Sequence, residues 1–340
     1  MIDWLTVRLP IPLHLHGHRL LEVSPDWEVV SERVLPLSLS ASDDDTRPSW
    51  SSSIRITPGE RMQISGNPAK FIQGHNADGP EDPGELLLEL LDHIGEALGK
   101  PLRLPNGLEG VTTSRIDLTH TYRLPEGVNA YTATAHLAQH GMVKNKGRGV
   151  AKGHSVSFGK ATGDTQLVIY DKGKELKAHL PAADVREALL ATPDLDRLLR
   201  VELRIRRKYM NRHGLQALSA WDNGTLEDVW ETTVMNALQI SELKQTTIAE
   251  QDKGGRLFIL MQAWMNGQLP PMPRRTMFRK RADIKRLYGV DILTPPPEKE
   301  PTAQVISWIH ALAAHNRVKL KPIPRTTGSI ISLADRRKQA

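Results

Sequence analysis

A tyrosine stands where an apolar run gives way to charged residues, in the stretch QLVIYDKGKEL (166–176). Tyrosine is scarce in this chain, with 5 among 340 residues. A phenol oxygen can attack phosphorus, but its ordinary pKa of about 10 makes Tyr170 a poor nucleophile at neutral pH unless a neighbour activates it. Lys172, two residues on, carries the charge needed to stabilise a phenolate. The competing interpretation is a structural tyrosine that caps the core with its hydroxyl in water.

Two other segments, TSRIDLTHTY (113–122) and LRVELRIRR (199–207), alternate apolar and polar residues. Successive side chains of a strand point to opposite faces, so each segment predicts a strand with one polar side. The residues on the two polar sides are Arg115, Asp117, Thr119, Arg200, Glu202, Arg204 and Arg206. If these strands and that of Tyr170 are neighbours in one sheet, a single face carries the phenol, two carboxylates and several arginines.

Such a face suits phosphoryl transfer. Carboxylates on neighbouring strands, here Asp117 and Glu202, can hold Mg²⁺ or Mn²⁺ through their oxygen atoms. The cation would neutralise a phosphate diester and stabilise the charge that develops on it. Arginines on the same face would grip the flanking phosphates, and the candidates are Arg115, Arg200, Arg204 and Arg206. The competing interpretation is a solvent-exposed face of an antiparallel sheet with compensating charges.

The elements that position these residues indicate an α+β fold, with an antiparallel-rich central sheet and flanking helices, followed by a smaller all-helical C-terminal region. Strands are predicted at 2–9, 54–64 (a hairpin), 113–122, 155–158, 166–170 and 199–207. Helices are predicted at 85–98, 128–139, 183–198, 226–243, 255–265, 274–288 and 302–314. We therefore expect a catalytic α+β domain over 1–222, a helical DNA-binding or accessory domain over 223–320, and a flexible basic tail over 321–340.

The charge balance favours a polyanionic partner. The chain has a net charge of +6, and its basic residues cluster in three places. The clusters are 204–212, the predicted helix 274–288 with Arg279, Arg281 and Lys285, and the glycine-spaced segment 144–154 with Lys146 and Arg148. The absence of cysteine excludes disulfides, thiolate catalysis and cysteine-bound zinc. We expect no signal peptide and no membrane span, which needs about 20 apolar residues.

Six sequence blocks, in chain order, resemble the gene II/X family of replication initiators of filamentous phages. The blocks are MIDWLTVRLP (1–10), SGNPAKFIQGHN (65–76), SRID (114–117), LVIYDKGKEL (167–176), LLRVELRIRRKYMNRHGL (198–215) and MPRRTMF (272–278). Plasmid rolling-circle initiators are similar in two of these only, the Tyr-x-Lys-x-x-Glu strand end, which reaches Glu175, and the Arg-Val-Glu strand.

The resemblance implies an enzyme that nicks one strand of supercoiled replicative DNA at its origin and later rejoins it. In the family a tyrosine becomes linked to the 5′ phosphate, and the matching residue is Tyr170. The carboxylates of the matching blocks are Asp117 and Glu202. The implied partners are origin DNA, as duplex and as single strand, together with a host helicase and polymerase in the host bacterial cytoplasm. No membrane partner is implied, and an oligomer on DNA stays open.

Other polar residues have structural interpretations beside functional ones. His75, in the second block, and Glu175, in the fourth, are candidate site residues. The sequence HLHGH (14–18) contains a metal-binding pattern, but it follows prolines, which favours an exposed turn. His120 falls on the apolar side of its strand, which favours a core histidine. Tyr209 follows the charged strand instead of lying among its charges.

Two functions of other classes stay open beside the nicking enzyme. One is a non-catalytic origin-binding protein that has kept the fold. The other is a metal-dependent phosphodiesterase that uses water, with Tyr170 in a structural role. A covalent protein–DNA adduct would distinguish the nicking enzyme from both.

Overall fold

The computed structural model describes residues 1–14, 19–40, 53–126, 128–178, 194–240, 260, 263–264, 269–288, 291–294, 312, 316–319 and 331–332. The strands, numbered in chain order, are β1 (Ile2–Arg8), β2 (Arg19–Val23), β3 (Val29–Val34), β4 (Leu37–Ser40), β5 (Ser53–Thr57), β6 (Gln63–Gly66), β7 (Thr112–Arg123), β8 (Gly141–Val143), β9 (Gly147–Arg148), β10 (Val150–Lys152), β11 (Ser155–Phe158), β12 (Thr165–Asp171), β13 (Leu198–Arg206), β14 (Leu238–Ile240) and β15 (Ile331–Ser332). The helices are α1 (Pro68–Gln73), α2 (Pro83–Ala97), α3 (Ala130–His140), α4 (Lys172–Ala178), α5 (Arg207–His213), α6 (Asn223–Trp230) and α7 (Arg274–Tyr288). The fold is α+β with an antiparallel-rich sheet, as the sequence predicts.

Ten strands form the main sheet in the order β10-β11-β12-β13-β7-β1-β6-β5-β4-β15. Every neighbouring pair in it is antiparallel. Strands β14, β8 and β9 form a small second sheet, and β2 pairs with β3 in a two-stranded ribbon. The three strands with the candidate site residues are direct neighbours, with β13 between β12 and β7. The adjacency expected from their polar sides is therefore confirmed.

The register of these strands aligns their polar side chains in rows. The cross-strand pairs are Tyr170 with Arg200, Val168 and Thr119 with Glu202, and Asp117 with Arg204. Residues directly opposite each other in an antiparallel ladder point to the same face. The phenol and both carboxylates therefore share one side of the sheet.

The other side of the same strands is apolar. Its most deeply buried members are Ile116, Leu118, Leu167, Ile169, Val201, Leu203 and Ile205, none more than 4 % exposed. Burying a side chain of this kind contributes about 1.5–3 kcal/mol. A slip of one residue would reverse every one of these side chains, so this buried side also fixes which residues face the candidate site.

The chain divides into two compact units, residues 1–240 with 311–340 and residues 241–310. The sequence predicts a boundary at residue 222, whereas residues 223–240 and the C-terminal segment belong to the unit that contains the sheet. Backbone pairing explains the difference, because β14 pairs with β8 and Arg317 forms a β-bridge with Tyr122 of β7. The second unit has its own apolar core, formed by Leu260, Trp264, Ile284 and Ile292.

Several predicted elements end differently. In place of the predicted helix 226–243, the α-helix ends at Trp230, a π-helical turn follows over Glu231–Met235, and the chain then forms β14. Strand β14 pairs with β8, a partner distant in sequence that the local pattern does not reveal. The end of the predicted helix 183–198 is a 3-10 turn, Leu195–Arg197, followed by β13. Residues 183–193 of that helix lie outside the described residues.

The predicted tail contains strand β15, which pairs with β4, while its other residues lie outside the described ones. The predicted helix 255–265 is described only at residues 260 and 263–264, which are helical. Of the predicted helix 302–314, only residue 312 is described, as a turn. No helix among the described residues is both long enough and apolar enough to span a membrane.

Candidate active site

Tyr170 is the last residue but one of β12, and it is partly buried. The strand ends at Asp171, and α4 begins with the next residue. Lys172 therefore lies on a helix and does not continue the strand. Its fully buried ammonium lies 2.5 Å from a carboxylate oxygen of Glu175 and 3.0 Å from the amide oxygen of Asn76. The lysine is engaged with these two partners and not with the phenol.

Asp117 and Glu202 are both buried on the polar side of the sheet, with exposures of 1 % and 4 %. The guanidinium of Arg115 donates two hydrogen bonds to Asp117, of 2.9 and 2.5 Å. Arg204 Nε lies 2.6 Å from Oε1 of Glu202 and 3.9 Å from Oδ2 of Asp117. Both carboxylates therefore lie within 4 Å of the same nitrogen, Nε of Arg204.

A third carboxylate, which the sequence reasoning missed, belongs to Asp3. The register between β1 and β7 shifts between Ile2 and Trp4, so Asp3 sits at a bulge, a feature that re-aims side chains. Its Oδ1 accepts hydrogen bonds of 2.9 Å from the side-chain amides of Asn67 and Asn76. The signal available in the sequence was a lone acidic residue within an apolar strand start, MIDWL.

The segment between β6 and α2 lies against the polar side of the sheet. Its anchor is Arg200, which is 1 % exposed and donates to the Thr121 hydroxyl and to the backbone carbonyls of Asn76 and Ala77. The sequence assigns Arg200 to DNA, but the structure corrects this, because the guanidinium is internal and holds this segment in place.

His75 lies in the same segment and is 5 % exposed. Its Nδ1 is 3.4 Å from the side-chain amide of Gln73 and 3.4 Å from the backbone nitrogen of Ala77. The residue that follows it, Asn76, binds both Asp3 and Lys172. These contacts give His75 a local structural role at the edge of the candidate site.

Burial makes the charged forms of the acidic groups at the candidate site unfavourable. Burial raises the pKa of Glu202 to about 7, and the charges of Asp3 and Asp117 add to that effect against the opposing charge of Arg204. Burial also raises the pKa of Asp117, although Arg115 and Arg204 oppose it. Burial raises the pKa of Tyr170 well above its usual 10, with Arg200 opposing and Glu202 adding to the shift. The phenol is therefore harder to ionise than in water unless a cation joins it.

The carboxylates suit a hard divalent cation in their chemistry, because Mg²⁺ and Mn²⁺ prefer oxygen ligands. Among the described residues nothing donates a hydrogen bond to Oδ2 of Asp3 or Oε2 of Glu202, so each has an oxygen available. The described part of the chain contains no ready-made group of three His, Cys, Asp or Glu residues placed to hold a metal.

The other predicted DNA-binding residues lie in three places. On the polar side, the side chains of Arg115 and Arg204 are 28 % and 32 % exposed, and Arg206 is partly buried. Near β12, Lys146 binds the hydroxyl and carbonyl of Thr165, and Arg148 is exposed.

On α7, Arg279 is exposed, whereas Arg281 donates to both carboxylate oxygens of Asp291. Lys285 lies 3.7 Å from the same carboxylate. The prediction of three equivalent DNA-binding residues on this helix therefore needs correction, because an internal acidic partner already engages two of them.

The competing candidates lie away from the carboxylates. His120 contacts the ring of Trp230 edge-on, with centroids 4.3 Å apart, and burial lowers its pKa to about 2, as befits a core histidine. Tyr209 is on α5 and stacks on His213. In the sequence HLHGH, His14 lies 3.7 Å from Glu60, and residues 15–18 are outside the described ones.

Residues 1–224, which contain every residue of the candidate site, match the family model described as the N-terminal part of a phage replication-associated protein. The chain belongs to this family of phage replication proteins, the filamentous phage gene II family.

Among its relatives is the replication-associated protein of Enterobacteria phage I2-2, 24 % identical over 331 residues that cover 92 % of this chain and 94 % of that one. A solved structure of a rolling circle replication initiator protein from Geobacillus stearothermophilus aligns with 86 % of this chain and 98 % of its own. With 13 % identity and a TM-score of 0.35, that likeness supports no argument about the site.

Proposed function

We propose that this protein starts rolling-circle replication by nicking one strand of origin DNA through Tyr170 and later rejoining the ends. The observation that carries the proposal is the placing of a partly buried tyrosine beside buried carboxylates on neighbouring strands of one sheet. Membership of the replication-associated family agrees with DNA as the substrate. A host helicase, a host polymerase and the host bacterial cytoplasm follow from the same proposal.

In the nicking step, the phenol oxygen of Tyr170 attacks the scissile phosphorus and the bond from phosphorus to the 3′ oxygen breaks. The phenol proton passes to solvent, and the departing 3′ oxygen takes up a proton and becomes a hydroxyl. The product is a 5′-phosphotyrosine diester. Rejoining reverses the step, so it needs no nucleotide cofactor.

Asp117, Glu202 and Asp3 would hold Mg²⁺ or Mn²⁺, which supplies a positive charge for the phosphate oxygens and for the developing phenolate. The chain itself positions the phenol, because β12 is paired on both sides and holds the backbone that carries the ring. Arg115 and Arg204, at the exposed rim, are the best placed to bind phosphates on either side of the bond that breaks. Lys172 and Glu175 act through Asn76, which they help to hold beside Asp3.

The test uses supercoiled replicative DNA of the replicon that encodes the chain, with Mg²⁺, followed by a denaturing gel. We expect nicking and an SDS-stable protein–DNA adduct, both lost in Tyr170→Phe. The matched control is Tyr209→Phe, which removes a phenol outside the site and should nick normally. Binding to DNA should survive both changes, since neither removes a charge.

Three outcomes would contradict parts of the proposal. An adduct that persists in Tyr170→Phe would move the nucleophile to another tyrosine and leave the class of enzyme standing. Normal nicking without any adduct would favour the phosphodiesterase that uses water. Origin binding without nicking by the natural protein would favour the non-catalytic binding protein.

A further inference from the structure

Arg204 leaves part of its hydrogen-bonding capacity unused at the candidate site. An arginine side chain has five N–H donors, yet Arg204 uses only Nε, which contacts Glu202 and Asp117. No described residue accepts a hydrogen bond from its two terminal nitrogens. The side chain is 32 % exposed. A guanidinium that buries one edge and leaves its fork open can still bind a phosphate bidentately.

Arg115 offers a contrast on the same face. It forms a two-pronged hydrogen-bonded pair with Asp117, and its guanidinium carbon lies 4.5 Å from the ring centroid of Trp4. Such a pair, held by stacking and by two hydrogen bonds, has a defined geometry. Among the described residues, Arg204 has no aromatic partner and does not form a second hydrogen bond to a carboxylate. Of the two arginines, it is the one that can leave its carboxylates without breaking a fixed arrangement.

The position of its Nε is also informative. It lies between oxygens of Glu202 and Asp117, the pair that would hold the divalent cation under the proposed function. The buried carboxylates need a positive charge in that place. A monovalent guanidinium satisfies part of this need, and a divalent cation would satisfy more of it. The two therefore compete for the same oxygens.

We infer that Arg204 exchanges between two partners, the Glu202–Asp117 pair in the metal-free protein and a DNA phosphate once Mg²⁺ or Mn²⁺ occupies that pair. The inference rests on the metal site of the proposed function. Its consequence is a linkage between metal and DNA, because the cation releases the arginine that DNA then binds. By reciprocity, DNA that holds Arg204 also strengthens the binding of metal.

The test compares Arg204→Met with Arg206→Met, both in a Tyr170→Phe background that prevents cleavage. Arg206 is the matched control, since it is two residues away on the same face and forms no hydrogen bond with either carboxylate. Binding of Mn²⁺ without DNA is measured by calorimetry. We expect Arg204→Met to bind Mn²⁺ about tenfold more tightly than the parent, and Arg206→Met to gain no more than about threefold from the general loss of charge.

The second readout is the affinity for a fluorescein-labelled single-stranded oligonucleotide, with Mn²⁺ and with EDTA. We expect Mn²⁺ to strengthen DNA binding of the parent and of Arg206→Met by about tenfold, and that of Arg204→Met by clearly less. Arg204→Gln serves as a second variant with a polar side chain. Failure of both Arg204 variants to fold would identify a structural ion pair and overturn the exchange.

The outcomes also separate this inference from the proposed function. If the parent binds no Mn²⁺, or if Asp117→Asn leaves Mn²⁺ binding unchanged, the metal site itself is wrong. If the parent binds Mn²⁺ through Asp117 but Arg204→Met behaves as Arg206→Met does, the metal site stands and the exchange of Arg204 is refuted.

Discussion

Replacing Glu202 by glutamine should stabilise the metal-free protein at alkaline pH. The pKa of Glu202 is about 7 in the folded chain against an ordinary 4.5. A carboxyl with a raised pKa contributes stability below pH 4.5 and loses it as the pH rises through about 7. At 1.36 kcal/mol for each pH unit, the difference corresponds to about 3 kcal/mol. Glutamine resembles the protonated acid and carries no such penalty.

The assay is urea unfolding of the natural protein and of Glu202→Gln in EDTA, at pH 4.5 and pH 8. We expect similar free energies of unfolding at pH 4.5 and an advantage of about 3 kcal/mol for the variant at pH 8. Added Mn²⁺ should stabilise the natural protein far more than the variant. A variant less stable at pH 8 by the same margin as at pH 4.5 would refute the reasoning.

Glu175→Gln is a control for which we expect the opposite change in stability with pH. Burial would raise the pKa of Glu175, but the ammonium of Lys172, together with the charges of Arg200 and Lys70, lowers it overall. A carboxyl with a lowered pKa contributes stability above its ordinary pKa and loses it as the pH falls. This variant should therefore be less stable than the natural protein at pH 8, and the gap should narrow on acidification.

Three further changes test other parts of the structure. Arg200→Lys removes the fork that holds the segment between β6 and α2, so we expect a loss of about 2–4 kcal/mol in urea unfolding; a neutral result would mean that this segment needs no anchor. In Gly173→Ala the new Cβ would meet the backbone carbonyl of Leu195, so α4 must shift, and unfolding should become easier by about 1–3 kcal/mol. Arg279→Gln should lower the salt dependence of DNA binding by about one phosphate contact, and Arg281→Gln should lower it by less, because its guanidinium is already paired. Equal salt dependence in the two variants would contradict this assignment.

The sequence predicts the polar face of the sheet well because the pattern behind it is local. Strict alternation in β7 and β13 determines which residues share a side, and a one-residue slip would expose the apolar set. Asp117 and Glu202 follow from that rule, whereas Tyr170 ends an apolar run that does not alternate and is indicated by its place before a charged turn. Chain spacing does not reveal which strands are neighbours, and the structure supplied that step.

The remaining residues were missed or misassigned for physical reasons that lie beyond local patterns. Asp3 is brought to the site by a bulge and by partners more than 60 residues away. Lys172 lies on a helix because β12 turns directly into α4, and alternation along the strand does not reveal that change. Alternation along a strand shows which face of the sheet Arg200 occupies, but it does not show that another segment of the chain covers that face. The sequence therefore assigns Arg200 to DNA.

The order of strands across the candidate site also sets when the site can form. Asp3 comes from the first strand of the chain, and its neighbour β7 and the central β13 are made much later. At about 5–20 residues per second, β1 waits roughly 10–40 s during synthesis before Glu202 leaves the ribosome. Pairings of such long separation in sequence form slowly even in a complete chain. The site therefore cannot form before β13 has been made, and a chain interrupted before β13 lacks both Glu202 and the strand that joins β12 to β7.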